Sequence, residues 1–361
     1  ISTLRSAISK DPGSLAAERA REMLTTIEGR YVPPVDPVAM TTYLQQNIGQ
    51  TVVPSFLPPA GRIEAQFNVH GSELSYGTDI EATVAIVNKG VEPLVVTENG
   101  LFTGQIRVDA RIGGDIQRQI PALVSQAIRT ALTVPPGRTL SASIPLSVGP
   151  LQQILLAYPQ ANLDVEFTLY LDPVTTPEGQ VRSGIAGLAP VTISVRRPKI
   201  DVTAAYVRSR MGCLSSGLEA QKIGTSQLVT GLLKEQHAMA QHGTLYPYRY
   251  AAWLPNLLRS ALLEETGLLL SPNDSDWPVK VNAMADLLSM SLDSDLAAAV
   301  GKNLNRRQWP VRMMAIYLLG ATQGEEFDRV LDWMAQSDPS DLVRAMAAAA
   351  REARRPRIPL G

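Results

Sequence analysis

The sequence predicts a multidomain chain of helices and strands in three parts: an N-terminal helical appendage (1–59), a β-sandwich (60–198) and a C-terminal α-solenoid (199–361). A four-residue motif recurs near the C-terminus at a fixed step, which is typical of stacked helical repeats. In the middle of the chain, apolar and polar residues alternate with the period of half-buried strands. A length of 361 residues also exceeds what one hydrophobic core normally serves.

The composition is that of an ordinary globular protein, with 45% apolar residues, 19% charged residues and a net charge of −1. Because acidic residues balance the basic ones, no global field attracts nucleic acid or an anionic membrane. No run of about 18 apolar residues occurs, so no transmembrane segment is expected. The single cysteine, Cys213, excludes an intrachain disulfide. The first residue is Ile rather than Met, which leads us to expect a processed chain or a fragment.

The first 30 residues predict helix, with a breaker at Asp11-Pro12-Gly13 and Ser14 as the N-cap. A Pro-rich strip (32–37) ends this region, and a second short helix is expected over 39–48. Three prolines then predict an extended linker, because each fixes φ and biases the residue before it away from helix: Pro54, Pro58 and Pro59.

From Gly61 onwards, period-two alternation predicts about seven strands, with turn signals between them and no helical crossovers of the βαβ kind. Two segments depart from this pattern and are expected to be helical, namely 120–131 and 151–157. The strands are expected around 63–69, 80–86, 94–96, 106–112, 140–146, 163–171 and 191–195.

One strand and its turn suggest a type of sandwich. The stretch from Gly77-Thr78-Asp79-Ile80 through Ile86-Val87-Asn88-Lys89-Gly90 resembles the B–C region of immunoglobulin-like domains in bacterial envelope proteins, where an alternating strand ends in an Asn-x-Gly turn. The match covers some 15 residues. It implies an immunoglobulin-like β-sandwich and points to a bacterial cell envelope, while the compartment itself stays open.

The repeated motif begins a helix in each copy, because proline is well tolerated in a first helical turn. A valine and the alanine four residues later lie on one face of that helix, so we expect them to form its buried stripe. The copies are Trp277-Pro278-Val279-Lys280, Trp309-Pro310-Val311-Arg312 and Asp341-Leu342-Val343-Arg344, followed by Ala283, Ala315 and Ala347, with a weaker copy at Tyr246-Pro247-Tyr248-Arg249 followed by Ala252.

These copies resemble the HEAT-like repeat family, in which a Val-Arg pair begins the second helix of each repeat and an alanine follows. The resemblance covers roughly 245–355. It implies an α-solenoid that binds proteins, and it implies no chemistry. The family often places an aspartate just before the pair; Asp276 fits this pattern, whereas Gln308 and Ser340 do not.

Candidate chemical sites are few. His237 and His242 are five residues apart, which turns them to different sides of a helix, so a solvated or capping role outweighs metal binding. A Cys–His nucleophile pair using Cys213 is the sharper alternative. The Asp-rich loops 273–276 and 293–295 favour helix capping over calcium binding. We therefore expect no catalytic residue, cofactor or metal.

The repeats themselves supply the candidate protein-interaction residues. Lys280, Arg312 and Arg344 recur at the repeat step and are expected to form a column of partly unneutralised positive charge that an acidic partner surface could occupy. Trp277 and Trp309 begin equivalent helices and could form a row of interface anchors, although packing on the preceding repeat is the commoner role.

The function that these patterns favour is non-catalytic. We expect a structural or scaffolding protein that binds other proteins, or copies of itself, in a bacterial envelope or a large assembly. The alternative is the accessory region of a larger enzyme, such as a peptidase, whose catalytic domain would lie upstream of Ile1.

Overall fold

The computed structural model describes residues 1–11, 14–29, 42, 59–98, 100–128, 133–264, 267–320, 324 and 326–354. Two compact units divide the chain, Ile1–Pro58 and Pro59–Gly361. In the described part, no helix is both long enough and apolar enough to cross a membrane.

The first unit contains helices α1 (Ser2–Lys10) and α2 (Leu15–Glu28). Ser14 caps α2 as expected, with its hydroxyl accepting from the Ala17 N–H at 3.2 Å. Leu24 is buried, whereas three other apolar residues of this helix are exposed: Leu15, Met23 and Ile27. Apart from residue 42, the helix expected over 39–48 lies outside the described residues, as do the prolines at 54 and 58.

The second unit starts with α3 (Pro59–Arg62), so Pro59 begins a short helix rather than extending a linker. Its two main sheets are antiparallel, with strand orders β1-β2-β7 and β11-β8-β4-β5. The strands of these sheets are β1 (Ile63–Val69), β2 (Glu81–Asn88), β4 (Gln105–Gly114), β5 (Arg118–Ala127), β7 (Thr139–Pro145), β8 (Leu163–Leu171) and β11 (Val191–Arg197). Two smaller antiparallel pairs join β3 (Leu94–Val95) to β6 (Thr133–Val134) and β9 (Pro173–Thr175) to β10 (Val181–Ser183).

Alternate residues of both main sheets enter one hydrophobic core, which confirms the period-two interpretation at the predicted strands. In β8, for example, Leu163, Val165 and Phe167 are almost fully buried, and the residues between them are not. The helix expected over 151–157 is also present, as α4 (Gly149–Ala157).

The expectation of a helix over 120–131 is wrong for its described residues, because 120–127 belong to β5, while 129–131 lie outside the described residues. The pairs Val108↔Val124 and Ala110↔Ile120 show that β5 uses four residues where β4 uses two. This bulge turns the chain at Ala122 (φ 51°), whose N–H donates to an Asp109 oxygen at 2.7 Å. The bulge interrupts the alternation and leaves Ile120 and Val124 four residues apart, a spacing that resembles that of a helix.

Helices fill the rest of the second unit. They are α5 (Ala204–Ser216), α6 (Glu219–His242), α7 (Leu254–Leu263), α8 (Trp277–Asp286), α9 (Ser294–Gly301), α10 (Trp309–Gly320), α11 (Glu326–Ser337) and α12 (Asp341–Ala353). Within this set α6, α8, α10 and α12 pack side by side in that order. Helices α8, α10 and α12 begin at Trp277, Trp309 and Asp341, which are the first residues of the three strong copies. The 32-residue period of the sequence is therefore also the spacing between the starts of these helices.

The buried stripe of the repeats is confirmed: all six of its valines and alanines are almost completely buried. The weak fourth copy is wrong, because Tyr246–Arg249 adopts no helix and Ala252 is exposed. In its place, the long helix α6 packs against α8. Tyr246, the first residue of that copy, has a different role, because its side chain enters the core of the sandwich.

The sandwich and the helices join around a buried carboxylate. Glu235 on α6 is fully buried and accepts from the Gln160 N–H at 2.9 Å, from Gln160 Nε2 at 2.8 Å and from the Tyr246 hydroxyl. Burial raises the pKa of Glu235, although these hydrogen bonds oppose the rise. Nearby, Arg197 at the end of β11 donates to the carbonyl oxygens of Tyr158 and Pro159. Residues 59–361 are thus one compact unit, and independent folding on either side of Pro198 stays a prediction.

Candidate protein-interaction surface

The basic residues that recur at the repeat step occupy equivalent helix starts, but their side chains are held within the chain. Lys280 on α8 is only 1% exposed, and its ammonium group donates to the Asn273 carbonyl oxygen at 3.0 Å. Burial lowers the pKa of Lys280, and the positive charge of Arg306 lowers it further. This lysine is part of the interior.

Arg312 on α10 is also buried. Its Nε and Nη2 atoms each donate to an oxygen of Asp338 at 2.7 Å. Its Nη1 donates to the carbonyl oxygens of Arg306 and Arg307, both at 2.8 Å. All three nitrogens of this guanidinium therefore have acceptors, and its charge is neutralised inside the repeat array.

Arg344 on α12 is half-buried, donates from Nη1 to the Asp338 carbonyl oxygen at 2.6 Å and forms an ion pair with Asp341. The expected column of unneutralised charge along Lys280, Arg312 and Arg344 is therefore wrong. The reason is the position of the acid. The family pattern places an aspartate directly before each helix, whereas Asp338 lies two residues before Ser340, whose N–H donates back to it at 2.8 Å.

Two charged contacts connect helices that are neighbours in the series α6, α8, α10 and α12. Arg312 of α10 reaches Asp338 in the loop before α12, and Lys222 of α6 reaches Asp276 before α8 at 2.8 Å. Burial raises the pKa of Asp276, but its hydrogen bond with Lys222 and the positive charge outweigh burial, so the net pKa is lowered. Of these two contacts, only the one made by Arg312 uses the basic position of the motif.

The two tryptophans of the motif behave differently from its basic residues. Trp277 and Trp309 are 38% and 41% exposed, so each presents a large part of its ring to water. They occupy the first position of α8 and α10, and Trp253 just before α7 is similarly exposed at 40%. Exposed tryptophans at three helix starts remain candidates for interface anchors.

A groove near the end of the array adds a fourth tryptophan that the motif does not contain. It has a volume of about 400 Å³ and lies between α11 and the turn that follows α9. Leu304, Val330 and Trp333 line it, and the Trp333 side chain is 60% exposed. Arg329 and Asn305 supply polar groups in the same lining. We call this the Trp333 groove.

The sequence does contain a signal for this groove, in the amphipathic pattern of α11. Phe327, Leu331 and Met334 form its buried stripe, with exposures of 8%, 0% and 1%. Val330 and Trp333 are three residues apart, so they share a different part of the helix surface. Two large apolar residues off the buried stripe are what an interaction site requires.

The helix that carries Trp333 is held firmly. Arg351 of α12 donates to oxygens of Asp328 and Asp332 on α11 at 3.0 and 3.2 Å. Arg354 donates to Asp328 at 2.7 Å. A surface fixed in this way loses little conformational freedom when a partner binds.

The alternative chemical sites gain no support. Among the described residues, no three His, Cys, Asp or Glu side chains come together as metal ligands would. Asp293 caps α9 by accepting from the Leu296 N–H at 3.0 Å, as expected for its loop. Cys213 is half-buried in α5, where its thiol lies 3.6 Å from the Ser209 carbonyl oxygen.

Comparisons with known proteins leave the chain without a family. No protein-family model and no curated protein matches it. Among solved structures, a β-glucosidase from Listeria innocua is similar over 39% of this chain and 17% of its own, at 11% identity and a TM-score of 0.22. The sporulation control protein Spo0M from Bacillus subtilis is similar over 43% of this chain and 56% of its own, also at 11% identity and a TM-score of 0.22. The chain thus spans less than two thirds of each of these proteins, and likenesses this weak carry no functional argument.

Proposed function

We propose that this chain is a non-catalytic scaffolding protein that binds other proteins, and that the Trp333 groove receives the partner. The observation that carries this proposal is the 60% exposure of Trp333 beside Val330 and Leu304. Apolar surface gains about 25 cal/mol for each Å² that a partner removes from water, so a bound segment would recover what these side chains lose by exposure.

The groove also suggests the chemistry of its partner. Its centre is apolar, so it suits an aliphatic or aromatic side chain of the partner. Arg329 is exposed in the same lining and favours an acidic or carbonyl group beside that anchor. Because α11 is braced by Arg351 and Arg354, the groove is formed before the partner arrives.

The tryptophans at the helix starts extend the proposal along the array. Trp277 and Trp309 lie one repeat apart, so a partner that contacts both would follow the direction in which the helices stack. We propose them as secondary contacts. The groove is the principal site because it is concave and the tryptophan in it is the most exposed of the four.

Site-specific photocrosslinking tests the proposal. A benzoylphenylalanine residue replaces Trp333 in the full chain expressed in its own cells, and a control chain carries it at Val174, which is 41% exposed on β9. We expect a defined protein adduct at position 333 that is missing at position 174. The adduct partner is then purified, and Trp333→Ala should weaken its binding at least about tenfold, since truncating an aromatic anchor typically costs 2 kcal/mol or more.

Two results would contradict the proposal. One is an equal pattern of adducts at positions 333 and 174. The other is unchanged affinity of the purified partner for Trp333→Ala when circular dichroism shows that this variant is folded.

A further inference from the structure

The two main sheets have four edge strands, and these differ in the features that hinder the addition of another strand. The edge of β11 is covered by the segment before β2. The Leu74 N–H donates to the carbonyl oxygen of Arg196, and the Arg196 N–H donates to the carbonyl oxygen of Ser72, both at 2.8 Å. The edge of β5 carries the bulge, Pro121 and the left-handed Ala122. At β1, Glu64 forms an ion pair with Lys89, and the strand packs beside β11. Each of these features hinders the addition of a foreign strand.

The remaining edge, β7, has none of these features. Its sequence is Thr139-Leu140-Ser141-Ala142-Ser143-Ile144-Pro145, which contains no charge and places its only proline at the last position. Its seven residues pair with β2 without a register shift. Among the described residues, no other strand pairs with β7. A regular and neutral edge of this length is a template for another strand.

The register identifies the backbone groups that point away from β2. Just beyond the ends of the ladder, the Asn88 N–H donates to the Arg138 oxygen and the Leu146 N–H donates to the Ile80 oxygen. Hydrogen-bonded pairs alternate along an antiparallel ladder, so Leu140, Ala142 and Ile144 bond to β2. The N–H and C=O groups of Thr139, Ser141 and Ser143 therefore point outwards.

The side chains at these three positions are small and exposed, so they do not obstruct the edge. The intervening Leu140 and Ile144 lie in the core, at 4% and 0% exposure. A strand added to β7 would thus meet three donors and three acceptors that have no partner among the described residues, and the core would be undisturbed.

We propose that β7 pairs antiparallel with β7 of a second copy of this chain, about a two-fold axis at Ser141. In this register Ser141 faces its own counterpart, and Thr139 faces Ser143 of the other copy. Each of the three outward donors then meets an outward acceptor. No charged residue faces another, and Pro145 falls outside the paired segment, so its missing N–H costs nothing. The two three-stranded sheets become one six-stranded sheet. This inference does not depend on the Trp333 groove.

Cysteine crosslinking tests this pairing directly. Residues that face each other in a hydrogen-bonded antiparallel pair have Cα atoms about 5.5 Å apart, within the range that a disulfide spans. In a full chain whose native thiol is removed by Cys213→Ser, Ser141→Cys should give a disulfide-linked dimer on mild oxidation. Thr83→Cys is the matched control, because Thr83 is exposed on the central strand β2 and cannot meet its counterpart.

A second variant tests the dimer without a crosslink. Ser141→Pro removes an outward N–H that the β2 ladder does not use, so the fold should remain. Two hydrogen bonds disappear from the symmetric pair, and the dissociation constant measured by sedimentation equilibrium should rise at least about tenfold. The proposal is overturned if the wild-type chain is monomeric at every concentration, if Thr83→Cys crosslinks as readily as Ser141→Cys, or if Ser141→Cys captures only a different protein.

Discussion

Arg312 and Asp338 meet through two parallel 2.7 Å contacts, and both side chains are almost completely buried, although they lie 26 residues apart. This pair joins the helix of one repeat to the loop that begins the next. Burial raises the pKa of Asp338, but the hydrogen bonds and charge of Arg312, together with the Ser340 N–H, outweigh burial and lower its net pKa.

Arg312→Gln should destabilise the chain by about 3–5 kcal/mol, because it leaves the Asp338 carboxylate buried without a counter-charge. Chemical denaturation followed by circular dichroism measures the loss. Arg344→Gln is the control, since this arginine is half-exposed and its substitution should cost about 1 kcal/mol or less. Equal losses in the two variants would mean that the buried pair is not the main tie between these repeats.

The same pair predicts a dependence on pH. The pKa of Asp338 is lower in the folded chain than its ordinary 3.8, so the stabilisation is fully present above that value. It is lost as the pH falls through the folded pKa. The difference in unfolding free energy between wild type and Asp338→Asn should therefore shrink below about pH 4. A difference that stays constant down to pH 2 would contradict this.

Ala315→Glu should unfold the helical array, because Ala315 is 0% exposed and an unpaired carboxylate there costs several kcal/mol. This is a large share of a typical stability of about 5–15 kcal/mol. Tyr317→Glu, at a 55% exposed position on the same helix, is the matched control and should melt nearly as wild type does. Similar thermal unfolding of both variants would show that the stripe does not support the array.

Asp286 predicts a pH dependence of the opposite sign. Burial raises its pKa from 3.8 to about 6, against the effects of Lys234 and Thr230, and one of its oxygens is shielded from water without a partner among the described residues. A raised pKa means that the folded chain binds the proton more tightly than the unfolded chain. This stability is therefore fully present below about pH 4 and lost as the pH rises through 6.

The variant Asp286→Asn isolates this effect. The unfolding free energy of wild type minus that of the variant should increase by about 2 kcal/mol between pH 7 and pH 4, since each tenfold difference in proton affinity corresponds to about 1.36 kcal/mol and the unfolded carboxyl is itself partly protonated at pH 4. Urea denaturation at the two pH values measures it. A pH-independent difference would show that the carboxylate is solvated.

The contacts of Glu235 between the helices and the sheets predict how fragments of the chain should unfold. A fragment of residues 61–198 should retain a β-type circular dichroism spectrum, because both sheets lie within it. It should melt at a lower temperature than residues 59–250. The longer fragment also contains Glu235, Met239 and Tyr246, which are among the residues of the helical region that contact Gln160 or enter the sandwich core. Equal melting temperatures would mean that the sandwich folds independently of the helices, and a helical spectrum would contradict the strand assignment.

The sequence by itself determined the features that depend on periodicity. Alternation located β1, β2, β4, β7, β8 and β11, and a short apolar run located β3, whereas β5, β6, β9 and β10 were not predicted. The repeated motif located the starts of α8, α10 and α12. It also identified the buried stripe, because residues four apart must share a helix face. These inferences hold because period and propensity act locally, within one element.

Only the tertiary structure decided which charges are paired and which apolar side chains stay in water. The local pattern places no acid beside Arg312, whereas in the structure Asp338 reaches it from the loop before the next repeat. Similarly, the bulge of β5 is defined by its pairing with β4, and Glu235 is buried because α6 packs on the sandwich. Trp333 is exposed because the neighbours of α11 cover only one of its faces. Each of these features depends on contacts between residues far apart in the chain, which no local pattern records.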